Sequence, residues 1–259
     1  MSSGFGRQFG LLARRSIART LRDPGTIAPA LLIPLLLYFV IAAGLTKATS
    51  LPGFPTKSMP TFALTLAFVN GALSMVGSTG ASIAADIETN FLDRLVLTPM
   101  RGAALLLAGL AGTIVLGLIQ LGLFFGVGFA YGAHIEAGWK GGLVIAAMFL
   151  LADIGFGALG LFLGLRTGSG QAVQGVAPMM LVFLFLSSVI FPRNLISADW
   201  FYWIATVNPV SYLVEGIRSV FIFGWDKQAL LYGFIFVVAL VVLSLLGASA
   251  ALRSRLARA

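Results

Sequence analysis

Gly102-Ala-Ala-Leu-Leu-Leu-Ala-Gly-Leu-Ala-Gly-Thr-Ile-Val-Leu-Gly-Leu-Ile-Gln-Leu-Gly-Leu-Phe-Phe-Gly-Val-Gly-Phe-Ala-Tyr131 is a run of thirty residues without a single charge. A transmembrane helix needs about 20 apolar residues to cross the ~30 Å hydrocarbon core of a bilayer. A barrel strand would instead alternate apolar and polar positions over about ten residues, and this run does not alternate. Outward from it, five more runs share its character: Ile27 to Thr46, Pro60 to Ala84, Gly141 to Leu165, Val173 to Phe191 and Gln228 to Leu252. The expected fold is an all-α membrane protein with six transmembrane helices in a single domain. Composition agrees, with 59% hydrophobic and 10% charged residues and a mean hydropathy of +0.99. A soluble domain covers itself with about 25% charged residues. The absence of cysteine excludes disulfides, thiol catalysis and cysteine-ligated metal.

Basic residues set the expected orientation. With both termini in the cytoplasm, the inside holds Arg7, Arg14, Arg15, Arg19, Arg22, Arg94, Arg101, Arg166, Arg253, Arg255 and Arg258, and the outside only Lys47, Lys57, Lys140, Arg193, Arg218 and Lys227. The net charge of +8 then reflects loops beside anionic lipid, and nucleic acid is not an expected partner.

Three segments outside the spans carry information. Over residues 5–22, Phe5, Phe9, Leu12, Ala13, Ile17 and Leu21 fall on one helical face and Arg7, Arg14, Arg15, Arg19 and Arg22 on the other, the pattern of a helix lying in the membrane interface. Asp23 is placed to cap the next helix, with Pro24 at its first position, and Pro29 and Pro34 should kink that helix. Residues 86–99 predict a short amphipathic cytoplasmic helix ending near Pro99, with Phe91, Leu92, Leu95 and Val96 on one face and Asn90, Asp93 and Arg94 on the other. Residues 193–225 are broken by Pro209 and carry Asn208, Glu215 and Arg218, so they predict an external re-entrant helical hairpin anchored by Trp200, Tyr202 and Trp203. Glu215 and Arg218 stand at a spacing that lets them pair.

The chemistry inventory is thin. No Gly-Lys-Ser/Thr phosphate loop occurs, so the chain is not expected to hydrolyse ATP, and no catalytic residue or bound metal is expected. Gly155, Gly157, Gly160 and Gly164 lie inside a span and predict a helix-packing surface, as do Gly122 and Gly126. Asp153 is the one acidic residue deep in a span; it is read as a hydrogen-bonded interhelical contact, with a proton site in an ion-coupled carrier as the rival reading. A third reading, an intramembrane hydrolase, would use Ser78 with His134, the single histidine.

Three separated strings carry a family resemblance. Glu88-Thr-Asn-Phe-Leu-Asp-Arg-Leu-Val-Leu-Thr-Pro99 resembles the coupling-helix string of ABC-2 type exporter permeases, Glu-x-Gly-Thr-Leu-Glu-x-Leu-x-x-Ser/Thr-Pro, with Asn90 where the family has Gly. Asn tolerates the left-handed conformation that Gly serves. Arg22-Asp-Pro24, followed by Pro34, resembles the start of the family's first span. Asn208-Pro-Val-Ser-Tyr-Leu-Val-Glu-Gly-Ile-Arg218 is similar to the family's Asn-Pro-Leu-Ser/Thr-Tyr-x-x-Glu-x-x-Arg string before the last span. The nearest flavour is that of daunorubicin-resistance-type drug-efflux permeases; glycolipid-exporting relatives share the scaffold.

The resemblance implies a plasma-membrane subunit working with a second permease copy and two ATP-binding subunits, which would hold the ATP and Mg. It implies ATPase coupling through Arg15, Arg19, Arg22, Glu88, Phe91, Leu92, Asp93, Arg94, Leu95, Thr98 and Pro99. It implies an external gate at Asn208, Pro209, Tyr212, Glu215 and Arg218. The cargo would be hydrophobic or amphipathic, on a path expected from the second and fifth spans, with Asn70, Ser74, Phe183 and Phe185 as candidates by side-chain type.

Overall fold

The computed structural model describes residues 5–96 and 102–257. They form α1 (Phe5–Arg22), α2 (Pro24–Gly44), α3 (Met59–Glu88), α4 (Phe91–Val96), α5 (Gly102–Ala130), α6 (Gly138–Thr167), α7 (Gly170–Gln174), α8 (Ala177–Phe185), α9 (Asp199–Val207), α10 (Pro209–Ile222) and α11 (Lys227–Leu256). No strand occurs among the described residues. Five helices are long and apolar enough to cross a membrane: α2, α3, α5, α6 and α11. The stretch from Val173 to Phe191, expected as one further span, is not one helix. α7 stops at Gly175, α8 restarts with Pro178 in its first turn, and residues 186–191 run as turns. Proline has no N–H and its ring clashes with the carbonyl four residues back, so Pro178 cannot continue α7.

α3 is the axis of the bundle. Every residue from Thr61 to Leu73 is buried, and α2, α5, α6, α7, α8 and α10 all pack on it. Its closest neighbour is α6, where glycines remove the side chains that would hold the backbones apart. A Cβ on Gly160 would collide with the Val76 carbonyl oxygen, and one on Gly164 would meet Gly80 O at 2.5 Å. The other two glycines of the predicted surface serve different neighbours: Gly155 admits Leu240 of α11 and Gly157 admits Thr113 of α5. A Cβ on Gly122 or Gly126 would meet nothing within 4 Å, so neither glycine admits a neighbouring helix of this chain.

α2 enters as expected, with Asp23 Oδ1 accepting from Gly25 N at 3.1 Å. Pro34 leaves the Ala30 carbonyl without its helical donor. Gln120 of α5, fully buried, supplies the replacement from Nε2 at 2.8 Å.

The amphipathic α1 differs from expectation in what its apolar stripe covers. Phe9, Leu12, Ala13 and Ile17 pack on Ala108 and Ala111 of α5, and Ser16 Oγ lies 3.4 Å from the Gly109 carbonyl as a donor. The stripe is covered in part by a neighbouring helix, while Leu21, expected on the same face, is exposed, as is Leu11.

Packing should outweigh polar glue here. An interhelical hydrogen bond inside a membrane contributes about 0.6 kcal/mol on average, whereas forcing volume into a close-packed contact costs about 1–3 kcal/mol or more. We therefore expect Gly160→Val to lower the thermal unfolding midpoint in detergent clearly more than Gln120→Leu does. The reverse order would show that the α3–α6 seam is not the principal contact.

Candidate functional site

The end of the bundle that carries α1 is built around one carboxylate. Asp86, in the last turn of α3, accepts a two-pronged contact from Arg15, Nη2 to Oδ1 at 2.7 Å and Nη1 to Oδ2 at 3.0 Å. Arg19 Nη1 reaches the same Oδ1 at 2.6 Å and the Ser82 carbonyl at 3.1 Å. Arg15 also stacks over Phe91 with its guanidinium carbon 3.6 Å from the ring centre, a cation–π arrangement. α1, α3 and α4 are thereby joined at one corner. The corner can form because Asn90 takes φ 54°, turning the chain from α3 into α4 and burying Leu92. Glu88 points away and accepts from Gly170 N at 2.9 Å, tying the corner to the start of α7.

Of the residues expected to couple to an ATPase, Arg15, Arg19, Glu88, Phe91 and Leu92 are thus engaged within the chain. Arg22 and Arg94 are exposed. Thr98 and Pro99 lie outside the described residues, as do the side chains of Asp93 and Leu95. The residue the sequence reading passed over is Asp86. Its signal was the pair Arg15 and Arg19, one helical turn apart and short of a counter-charge.

Between α2, α3 and the α7–α8 segment lies a cavity of about 380 Å³. Ile33, Pro34, Leu73 and Leu181 give it apolar walls; Asn70, Ser74, Ser78 and Gln174 give it polar points. Asn70 is 5% exposed and its Nδ2 has no hydrogen-bond partner, so a buried donor stands ready for an acceptor. The structure brings Asn70 and Ser74 together but not Phe183 and Phe185, which are exposed and do not line the cavity. Ser78 cannot meet His134. The His134 ring lies 3.2 Å from Thr61 Oγ1 at the start of α3, and the intervening helix places Ser78 about 25 Å farther along the axis.

At the opposite end, α10 holds the unwound stretch after α8. Asn208 Nδ2 donates to the Phe183 carbonyl at 2.6 Å, and Ser188 N donates to Ser211 Oγ at 3.1 Å. Arg218, 4% exposed, donates to the Ser188 and Val189 carbonyls at 2.8 and 2.6 Å and lies over Phe62. The expected Glu215–Arg218 pair is not formed. Glu215 instead faces Arg193, Nε to Oε1 at 2.6 Å, and Arg193 stands over Tyr212, whose hydroxyl donates to the Thr206 carbonyl. The reason is that Arg218 is drawn inward by carbonyls with no other donor. Pro209 is exposed at the start of α10, and Trp200, Tyr202 and Trp203 are exposed on α9.

Asp153 also departs from expectation. It is fully buried against Gly117, and neither carboxylate oxygen has a hydrogen-bond partner. Among the described residues no three metal-ligating side chains converge.

The Asp86 contacts are partly exposed, with 40% of the Arg15 side chain and 35% of the Arg19 side chain accessible, so screening holds their contribution to stability at or below about 1 kcal/mol. We expect Asp86→Asn to change the unfolding midpoint little but to release α1. Cysteines placed singly at Leu12 and Ala108 in this cysteine-free chain should cross-link readily in the parent and far less in the variant. Unchanged cross-linking would mean that the apolar stripe alone holds α1.

Against known proteins, residues 7–222 match the family model described as ABC-2 type transporter. Two proteins, each named "Putative transport permease ycf38", are similar along most of the chain. That of Porphyra purpurea is 26% identical over 221 residues, covering 81% of this chain and 72% of its own. That of Pyropia yezoensis is 24% identical over 217 residues, with the same coverage. With its membrane-length helices, its corner joining α3 to α4 and a family match over most of its length, the chain belongs to the ABC-2 type transporter family.

Proposed function

We propose that the chain is the membrane-spanning permease subunit of an ATP-driven exporter in the plasma membrane, carrying hydrophobic or amphipathic compounds, drugs among them, out of the cytoplasm or inner leaflet. Two ATP-binding subunits, which hold the ATP and Mg, dock at the α1 end, and a second permease copy completes the unit. Both termini are cytoplasmic and the α7–α8 segment completes a sixth crossing. The charge distribution supports this orientation: Arg7, Arg14, Arg15, Arg19, Arg22, Arg94, Arg166, Arg253 and Arg255 gather at the α1 end, which the positive-inside rule assigns to the cytoplasm.

The observation that carries the reading is the corner itself. A push on α4 meets Asp86 through Phe91 and Arg15 and so reaches α3, the helix that forms one wall of the cavity. Arg22 and Arg94, exposed beside the corner, are free to meet the ATPase surface. A ligand can shift a conformational equilibrium only through its differential affinity for the two states, so ATP binding acts here by favouring one position of α4. The α10 hairpin closes the outer end of the path.

We expect Arg94→Glu to weaken co-purification of the cognate ATP-binding subunit, and Asp86→Asn to retain that subunit but lose cargo-stimulated ATP hydrolysis. Full stimulation in both variants would remove the corner from the coupling route.

A further inference from the structure

The cavity that holds Asn70 is one of two that adjoin. A second chamber of about 400 Å³ lies on its α1 side, and Gly25, Thr26, Ser78 and Gln174 line both. The two differ in chemistry. Toward the middle of α3 the walls are Pro29, Ile33, Pro34, Leu73 and Leu181. Toward α1 the walls carry the hydroxyls of Ser16, Thr20, Ser82 and Thr113 and the guanidinium of Arg19. Thr79 and Thr113 share a hydroxyl hydrogen bond of 2.7 Å across this wall, so polar groups from α3 and α5 are fixed side by side. The charged residues lining this chamber are Arg19 and Asp23, and Arg19 shares the carboxylate of Asp86 with Arg15. The rim carboxylate of Asp23 is turned onto its own helix, accepting from Gly25 N at 3.1 Å and Thr26 Oγ1 at 2.6 Å.

We propose that the adjoining chambers bind a phosphate-bearing amphiphile, its head in the hydroxyl-lined chamber against Arg19 and its chain among Ile33, Leu73 and Leu181. The inference rests on the cavity being the cargo path and narrows the cargo from amphipathic compounds in general to inner-leaflet phospholipid-like molecules. A guanidinium beside several hydroxyls suits phosphate oxygens, which would compete with Asp86 for Arg19, and charge-assisted hydrogen bonds are the strong ones. The apolar chamber excludes a free phosphate as the intended ligand, because half of the site would then stay empty of partners. Asn70 Nδ2, buried and unpartnered at the apolar side, has the ester carbonyl of such a molecule as its acceptor. Orientation follows: the head lies at the basic end, so the ligand enters from the cytoplasmic leaflet with its chain already pointing toward the bilayer centre.

The test measures equilibrium binding of three probes to the full-length permease in nanodiscs of uncharged lipid: oleoyl lysophosphatidic acid, monooleoylglycerol with the same chain, and glycerol 3-phosphate with none. The expected result is lysophosphatidic acid tighter than monooleoylglycerol by about tenfold or more, with no measurable binding of glycerol 3-phosphate. Arg19→Gln should erase that preference while leaving monooleoylglycerol binding unchanged, and Ser74→Trp, which fills the apolar chamber, should abolish binding of both lipids. Should Arg19→Gln also lose monooleoylglycerol, the double variant Ser78→Ala with Ser82→Ala decides, and it must weaken lysophosphatidic acid alone. Equal binding of the two lipids, both lost in Ser74→Trp, would overturn the headgroup assignment and leave the path reading standing. Lipid binding unaffected by Ser74→Trp would overturn the path reading as well.

Discussion

A backbone carbonyl that loses its helical donor inside a membrane has no water to turn to, and this chain meets that constraint with long polar side chains from neighbouring helices. Pro34 orphans the Ala30 carbonyl, and Gln120 reaches it from α5. The unwinding after α8 orphans carbonyls that Asn208 and Arg218 recover from α10. Each repair joins two elements. The irregular parts of the bundle are therefore its most specifically connected, and the break that makes α7 and α8 too short to span alone is tolerated because α10 is present.

Charge follows the same rule at the two ends with different outcomes. Arg218 is almost completely buried, so removing its carbonyl partners would leave an uncompensated cation. Arg15 and Arg19 are partly exposed, and their shared carboxylate stabilises little. A strong contact suits a fixed closure; a weak, geometrically specific one suits a joint that must reposition. Asp153 is the exception, a buried carboxyl without a partner, accommodated because Gly117 leaves it room against α5.

Much of the fold was legible from run length and local chemistry. The long apolar runs mark α2, α3, α5, α6 and α11, Asp23 and Pro24 mark the start of α2, and Asn90 marks the turn into α4. What the sequence left open was decided by contacts and breaks that composition does not register. Periodicity identified the apolar face of α1 but could not say that α5 covers it. Hydropathy scored residues 173–191 as one run, because Gly175 and Pro178 interrupt a helix without lowering apolar content. Spacing offered Arg218 the nearby Glu215, but carbonyls orphaned about 30 residues upstream claimed it. Phe183 and Phe185 were chosen by side-chain type, and the turn of α8 that exposes them follows from the same break. For α1 and Arg218 the deciding partner lay far away in the sequence.

α3 is the element through which these parts become one device. Its first turn is fixed to the α5–α6 connection through Thr61 and His134, its middle forms the cavity wall with Asn70, Ser74 and Ser78, and its last turn ends in Asp86. Glycines bring α3 and α6 into close backbone contact, the tightest seam of the bundle. α2 is largely exposed along its length, carries Pro29 and Pro34 within the helix and is held to α5 by Gln120. The cavity lies between α3 and this largely exposed helix, with the α7–α8 segment as its third side.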